Sequence, residues 1–413
     1  MRAKGPLLVV FAFAMAACAA ESTEAGPAST VSPSLPPGTA TTANGDAGTT
    51  IPQVTLPPGG FPSGDSALED MSAASFPEPL VPPEEILSGG PPPDGIPPVD
   101  EPRFVSVGEA DGWLEDAEPV VVLEVGDDAR AYPVQIMIWH EIVNDTVGDV
   151  PVSVTYCPLC NSAVSYVREI DGHETTFGTS GRLYASALVM YDRATESLWT
   201  HYDGKAVVGL LTGHRLEPVA SPLLSWSDFK ASHANGQVLD RDATGFSRPY
   251  GANPYVGYDN PDERPFLFTG DVDDRSFAMQ RVVGVTSDGG ARAWTLEAIS
   301  GQAATATNSS VGDTPVVIFW TPGQTSALES DTVDGGRDVG SVGVFSPVVD
   351  GQELTFEPGG DGFVDTQTGS SWDITGVARE GELAGTQLDR LNHLDTFWFA
   401  WSTYAPDTDL VES

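Results

Sequence analysis

The residues with the sharpest chemistry are Cys157 and Cys160, carried by the run Tyr156-Cys157-Pro158-Leu159-Cys160-Asn161. Two thiols two residues apart, with Pro158 and Leu159 to turn the chain, can return to within disulfide distance. Such a pair supports thiol–disulfide exchange, in which one thiolate attacks and the other resolves the mixed disulfide. The same pair can ligate a soft metal. Both chemistries need thiolate, and a neighbouring histidine that takes up a proton lowers a thiol's pKa. The runs Glu141–Val147 and Val150–Cys157 are β-prone and flank Gly148-Asp149, a two-residue connection with Gly first, as a type II′ hairpin turn prefers. In that register Val147 faces Val150, Glu141 faces Tyr156 and His140 faces Cys157. Directly opposed residues hold their Cβ atoms about 4.5–5.5 Å apart, so His140 is expected beside the first thiol. Glu141, alternating to the other face, is expected as a supporting or pairing group.

The elements that must position this trio occur twice. Val120–Pro133 matches Val282–Thr295, with Ala129-Arg130-Ala131-Tyr132 against Ala291-Arg292-Ala293-Trp294. Val147–Val152 then matches Val311–Val316, Thr195–Trp199 matches Thr368–Trp372, and Trp226 and Phe229 match Trp398 and Trp401. Matches in order at drifting offsets imply an internal duplication. The expected fold is mainly β: two related antiparallel β-rich lobes, 103–245 and 276–413, with few short helices. Pro133–Ile138 and Ser225–Ala231 are the helical candidates, the second capped by Ser225. An ordered connecting loop, 246–275, lies between the lobes. The second copy carries Ala304, Thr321 and Gln324 where His140, Cys157 and Cys160 fall, which marks the trio as a functional unit rather than scaffold. Trp199 has a counterpart in Trp372 and is expected in the core. Asp192 and Arg193 are expected to pair structurally beside the site. His173, His214 and His393 receive no role.

The N-terminus sets the compartment. Arg2 and Lys4 precede an apolar run too short to span a bilayer, matching a signal peptide over 1–17. The run Ala14-Met15-Ala16-Ala17-Cys18 resembles the lipobox of bacterial lipoproteins, which implies cleavage before Cys18 and a lipid anchor on its thiol. Residues 18–102, rich in Pro, Gly, Ser and Thr, are expected to form a disordered tether. The partner at that end is the membrane, and the location is its extracytoplasmic face. With 59 acidic against 19 basic residues and a net charge of −40, the chain repels phosphate backbones, which excludes nucleic acid as a partner. Only three cysteines exist, so no disulfide framework holds the fold and no four-cysteine zinc site forms.

The runs Trp139–Asp145, Tyr156–Asn161, Leu188–Arg193 and Glu196–Trp199 resemble the domain-of-unknown-function family 3179 over about 115–275 and more loosely beyond. Some members of that family are annotated selenoproteins, which implies redox or soft-metal chemistry at Cys157 or Cys160; the resemblance implies no assigned activity. The leading expectation is a thiol redox protein needing no cofactor, with Cys157 attacking, Cys160 resolving, His140 tuning the thiol and an unidentified redox partner. The second is a copper- or zinc-binding protein using Cys157, Cys160 and His140, with His201 or His233 as fourth ligand. The third is a non-catalytic surface module with a passive disulfide.

Overall fold

Runs of Val, Ile, Thr and aromatic residues broken by Gly and Asp pairs favour short strands over helices, and the protein is mainly β, with five short α-helices among the described residues. This computed structural model describes residues 55–360 and 362–412. The signal-peptide segment 1–17, the acylation of Cys18 and the first part of the expected tether lie outside the described residues.

The first half opens with the hairpin β1 (Pro119–Val125) and β2 (Asp128–Pro133), followed by α1 (Val134–His140). A three-stranded meander comes next: β3 (Ile142–Val147), β4 (Val150–Cys157) and β5 (Ser162–Val167). A second meander follows, of β6 (Phe177–Tyr184), β7 (Ala187–Asp192), β8 (Leu198–Thr200) and β9 (Ala206–Val208). Then β10 (Leu223–Ser225), α2 (Trp226–Ser232) and β11 (Gln237–Leu239) return to the first hairpin, β10 antiparallel to β1 and β11 parallel to β2. Ser225 caps α2 by accepting from the Asp228 N–H, as its sequence position predicts.

The same strand order recurs in the second half. β12 (Arg281–Ser287) and β13 (Gly290–Thr295) form a hairpin, and β14 (Thr305–Val311), β15 (Thr314–Thr321) and β16 (Ser341–Phe345) a meander. β17 (Phe356–Gly359), β18 (Gly362–Asp365), β19 (Ser371–Trp372) and β20 (Ala378–Glu380) form the next sheet. β21 (His393–Phe397), α3 (Trp398–Tyr404) and β22 (Asp409–Val411) then close back, β21 antiparallel to β12 and β22 parallel to β13. A bulge interrupts β8–β9 at Trp199 and β19–β20 at Trp372.

One hydrogen-bonded lock is also repeated. The Asp192 carboxylate accepts from Trp199 Nε1 at 2.9 Å and from the Thr195 N–H and hydroxyl, while Ser197 Oγ accepts from the Leu211 N–H. In the second half Asp365 accepts from Trp372 Nε1 at 3.0 Å and from the Thr368 N–H and hydroxyl, while Ser370 Oγ accepts from the Leu383 N–H. Asp192 and Trp199 are thus parts of the frame. Arg193 does not pair with Asp192; it reaches Asp94 and Asp100.

Residues 55–102 differ from the tether expected of their composition, because they are laid on the fold. Leu87-Ser88 adds a short strand to β6, Val99 bridges to Val143, and Asn144 donates to Asp100. Isolated apolar residues in a Pro-rich chain are enough when edge strands offer free backbone partners: Ile86 and Val99 are 3% and 1% exposed. The two halves share apolar packing, since one cluster joins Ile136, Val154, Cys157 and Cys160 to Leu328, Phe397, Trp398 and Trp401.

Candidate functional site

The hairpin register counted from the sequence holds from Val147–Val150 to Ile142–Thr155. Gly148 and Asp149 both have positive φ, 48° and 56°, so the turn is type I′ rather than II′. Beyond Ile142 the strand stops. The mostly apolar run Val134–Trp139 continues α1 through His140, and Glu141 caps it in the left-handed region, φ 58°, ψ −29°. The Glu141 N–H still bonds Met137 O at 2.7 Å, whereas its carbonyl already accepts from the Tyr156 N–H at 2.8 Å. Glu141 is the pivot between helix and strand. A side chain there is disfavoured by about 1–2 kcal/mol, and helix caps of this kind usually take Gly or Asn.

This pivot changes which group meets the thiol. His140, on the last turn of α1, is held by Pro97 O at 2.6 Å and the Tyr250 hydroxyl at 2.7 Å. It makes no hydrogen bond to either cysteine, and burial lowers its pKa, so it stays neutral and supplies no positive charge. Glu141 takes the place expected of it. Its carboxyl is 7% exposed and has no hydrogen-bond or ionic partner among the described residues; burial drives its pKa well above the usual range and the neighbouring Cys157 adds to the rise. The expectation that Glu141 points away from the thiol face is corrected by the left-handed pivot, which breaks strand alternation.

The thiols sit at the β4–β5 hairpin. Cys157 ends β4 directly opposite Ser162, and residues 158–161 form the turn that carries Cys160 back. Both thiols are free and buried, 1% and 0% exposed. The Cys157 sulfur accepts the Leu188 N–H at 3.4 Å. Burial opposes its ionisation, but the donors aimed at it, the Cys160 thiol and then the N–H groups of Leu188, Cys160 and Leu159, outweigh that and lower its pKa. Cys160 is shifted the other way, upward, by burial and by the thiolate beside it. Cys157 is therefore the more readily ionised thiol of the pair and Cys160 the one that holds its proton more firmly.

A directed chain of hydrogen bonds leads away from Cys160. Thr155 Oγ1 donates to Val164 O at 2.5 Å, so toward His201 Nδ1, 2.8 Å away, it can only accept. His201 therefore carries its proton on Nδ1, and Nε2 accepts from Ser162 Oγ at 2.9 Å. Ser162 Oγ, 2.9 Å from the Cys160 sulfur, is left to accept, so the one Cys160 proton is shared between Ser162 Oγ and the Cys157 sulfur. His201 is fully buried at the end of β8, and burial lowers its pKa to about 3. It fixes the Ser162 hydroxyl and remains neutral. Thr155 and Ser162 were not singled out from the sequence; extending the register to Cys157–Ser162 is the signal that finds them.

The lining comes from three parts of the chain. Tyr255 and Tyr258, from the segment between β11 and β12, lie against Glu141 and Cys157, and Tyr250 of that segment holds His140. Tyr202 and Tyr404 stack at 4.4 Å near Cys160. The second half closes the base, as Thr396 Oγ1 and the Phe397 N–H both bond the Cys160 carbonyl, at 2.7 and 3.1 Å. Tyr156 is buried, its hydroxyl on Asn161. His233 is not part of the site: it stacks on Phe229 and pairs with Glu124 at 2.9 Å. Among the described residues no three His, Cys, Asp or Glu side chains are grouped as a metal would require.

Residues 93–408 match the family described as Protein of unknown function (DUF3179). No curated protein and no solved structure matches the chain.

Proposed function

The chain belongs to that family, whose description names no activity, and we propose that it is a thiol redox protein in which Cys157 attacks and Cys160 resolves. The observation that carries this reading is the unequal surroundings of the two buried thiols, with the Leu188 N–H aimed at the Cys157 sulfur and the Ser162 hydroxyl beside that of Cys160. Cys157 gathers donors and Cys160 keeps its proton, shared between Cys157 and Ser162, which is the division of labour that thiol–disulfide exchange needs. The alternative of a copper or zinc site has less support. Both nitrogens of His201 are held by hydroxyls, while His140 and His233 are bound elsewhere. A passive disulfide would have no use for the Ser162–His201–Thr155 chain.

The same proposal places the protein on the extracytoplasmic face of a membrane, anchored through acylated Cys18. The support is the Ala14–Cys18 run in the sequence. The repeated strand order and the doubled Asp–Thr–Ser–Trp lock support a duplicated ancestor whose second copy carries no thiols.

The test is mass-spectrometric alkylation of Cys157 and Cys160 in the purified protein, with and without prior chelation, across a series of thiol–disulfide buffers. A reversible two-electron transition, at a potential above the roughly −300 mV below which structural disulfides fall, is expected. Thiols that resist both alkylation and oxidation until a chelator is added would overturn the redox reading in favour of the metal one.

A further inference from the structure

Glu141 stands out among the buried ionisable groups. It is 93% buried by its 7% exposure, occupies a strained left-handed backbone position, and has no partner for its carboxyl among the described residues. The other thiol and the histidines at the site are bound: Cys160 to Ser162, His140 to Pro97 and Tyr250, His201 to Ser162 and Thr155. A carboxyl held at such cost beside a nucleophilic sulfur, and used by no structural bond, is free to move a proton.

We propose that Glu141 is the proton-transfer residue of the Cys157–Cys160 dithiol, acting on the disulfide of a small thiol as the oxidising co-substrate. This rests on the redox reading of the same site. In the reduced state Cys157 is the thiolate and Glu141 holds the proton, since two negative charges in one buried site repel. The Cys157 thiolate attacks one sulfur of the co-substrate. An S–S bond forms to Cys157, the co-substrate S–S bond breaks, and the departing thiolate takes the Glu141 proton and leaves as a thiol. Glu141, now a carboxylate, removes the Cys160 proton. The Cys160 thiolate attacks the Cys157 sulfur, and the second departing thiolate takes that proton from Glu141. Two electrons pass from the dithiol to the co-substrate, which becomes two thiols, and the protein keeps an internal disulfide with Glu141 ionised.

The small co-substrate follows from the burial of both sulfurs under the Tyr250–Tyr258 segment, which leaves no room for a folded protein to reach them without displacing it. The ionisable groups facing Glu141 and Cys157 are Tyr255 and Tyr258 from that segment, Tyr156 and Cys160 from the hairpin, and His140 from α1, with Arg281 and Asp395 beyond Tyr156. The tyrosines keep their protons at neutral pH and His140 is neutral, so Glu141 is the group there that exchanges one.

The experiment compares wild type with Glu141→Gln and Glu141→Asp in two reactions. Oxidation by hydroxyethyl disulfide needs a proton donor for the leaving thiolate; alkylation by iodoacetamide, whose leaving group is iodide, does not. Glu141→Gln is expected to slow oxidation by on the order of 10²-fold or more while alkylation of Cys157 changes little, with Glu141→Asp recovering part of the loss. Infrared difference spectra of the oxidised minus reduced wild type should show loss of a protonated-carboxyl band, a readout that needs no variant to fold. Equal losses in both reactions, no loss in either, or no such band would overturn the assignment. A wild type that forms no internal disulfide at any buffer poise overturns the redox reading itself, a result separable from the failure of Glu141 alone.

Discussion

Replacing Cys160 by alanine should raise the pKa of Cys157, and the size of the rise follows from the geometry. The Cys160 thiol is the foremost donor holding the Cys157 sulfur ionised, ahead of the N–H groups of Leu188, Cys160 and Leu159, which the variant keeps. A hydrogen bond to a charged group contributes about 1.5–3 kcal/mol. At 1.36 kcal/mol per pKa unit, its loss moves the midpoint up by about 1–2 units, so alkylation at a fixed pH below both midpoints slows roughly 10- to 100-fold. The assay is the pH profile of Cys157 alkylation, read by mass spectrometry for wild type, Cys160→Ala and Cys160→Ser. The serine variant keeps an O–H donor and should stay near wild type. The linkage has a definite sign. A folded thiol that ionises below its unfolded counterpart adds stability that is fully present above the unfolded pKa of about 8.5 and fades as pH falls through the folded value. Cys160→Ala should flatten that rise. An unchanged or lower midpoint in a natively folded Cys160→Ala protein would refute the assignment of Cys157 as the stabilised thiolate.

Three other perturbations have defined outcomes. His201, with a folded pKa of about 3 against an ordinary 6.5, binds a proton only in the unfolded chain between those values. Stability should therefore fall on acidification from pH 6.5 toward 3, by on the order of 5 kcal/mol in all, and denaturant titrations should show the slope lessened by one proton in His201→Gln. Asp365→Ala strands the Trp372 and Thr368 donors and should cost about 3 kcal/mol in urea unfolding, without shifting the Cys157 titration, because that lock lies in the half without thiols. Tyr250→Phe removes the hydroxyl that joins His140 to Thr244; loss of about 1 kcal/mol of latch should speed Cys157 alkylation roughly fivefold, and an unchanged rate would show that this segment does not gate the thiols.

Much of the fold was legible because strand pairing is set by counting. Gly148-Asp149 fixed the register of β3 on β4 through six residue pairs, and Ser225 marked the start of α2. The site was less legible, for two physical reasons. Val134–His140 is mostly apolar, with neither a glycine nor an asparagine directly after it to end the helix, so nothing in the sequence announces that Glu141 turns in the left-handed region and that His140 leaves the strand. Composition also misled at 55–102, where Pro and Gly suppress helix and strand yet do not prevent the chain from bonding to exposed strand edges, as Leu87-Ser88 does on β6.

The second half separates what the fold needs from what the site needs. Thr321 faces Ser341 there as Cys157 faces Ser162, so the hydroxyl survives, but the positions matching Thr155 and His201 are Phe319 and Ile374, both buried in apolar packing. The frame thus closes equally well with hydrocarbon where the first half keeps a histidine and a threonine fully buried. Burying a neutral imidazole between two hydroxyls contributes little more than its own hydrogen bonds, and those bonds only offset its desolvation. The polar chain is therefore not what holds the hairpin together. In place of the four-residue turn 158–161 the second half has residues 322–340, and Ala327, Leu328 and Val333 of that insertion pack in the cluster that contains Cys157 and Cys160. The half without thiols supplies, from the stretch that stands where the first half has its cysteine turn, part of the apolar wall around Cys157 and Cys160.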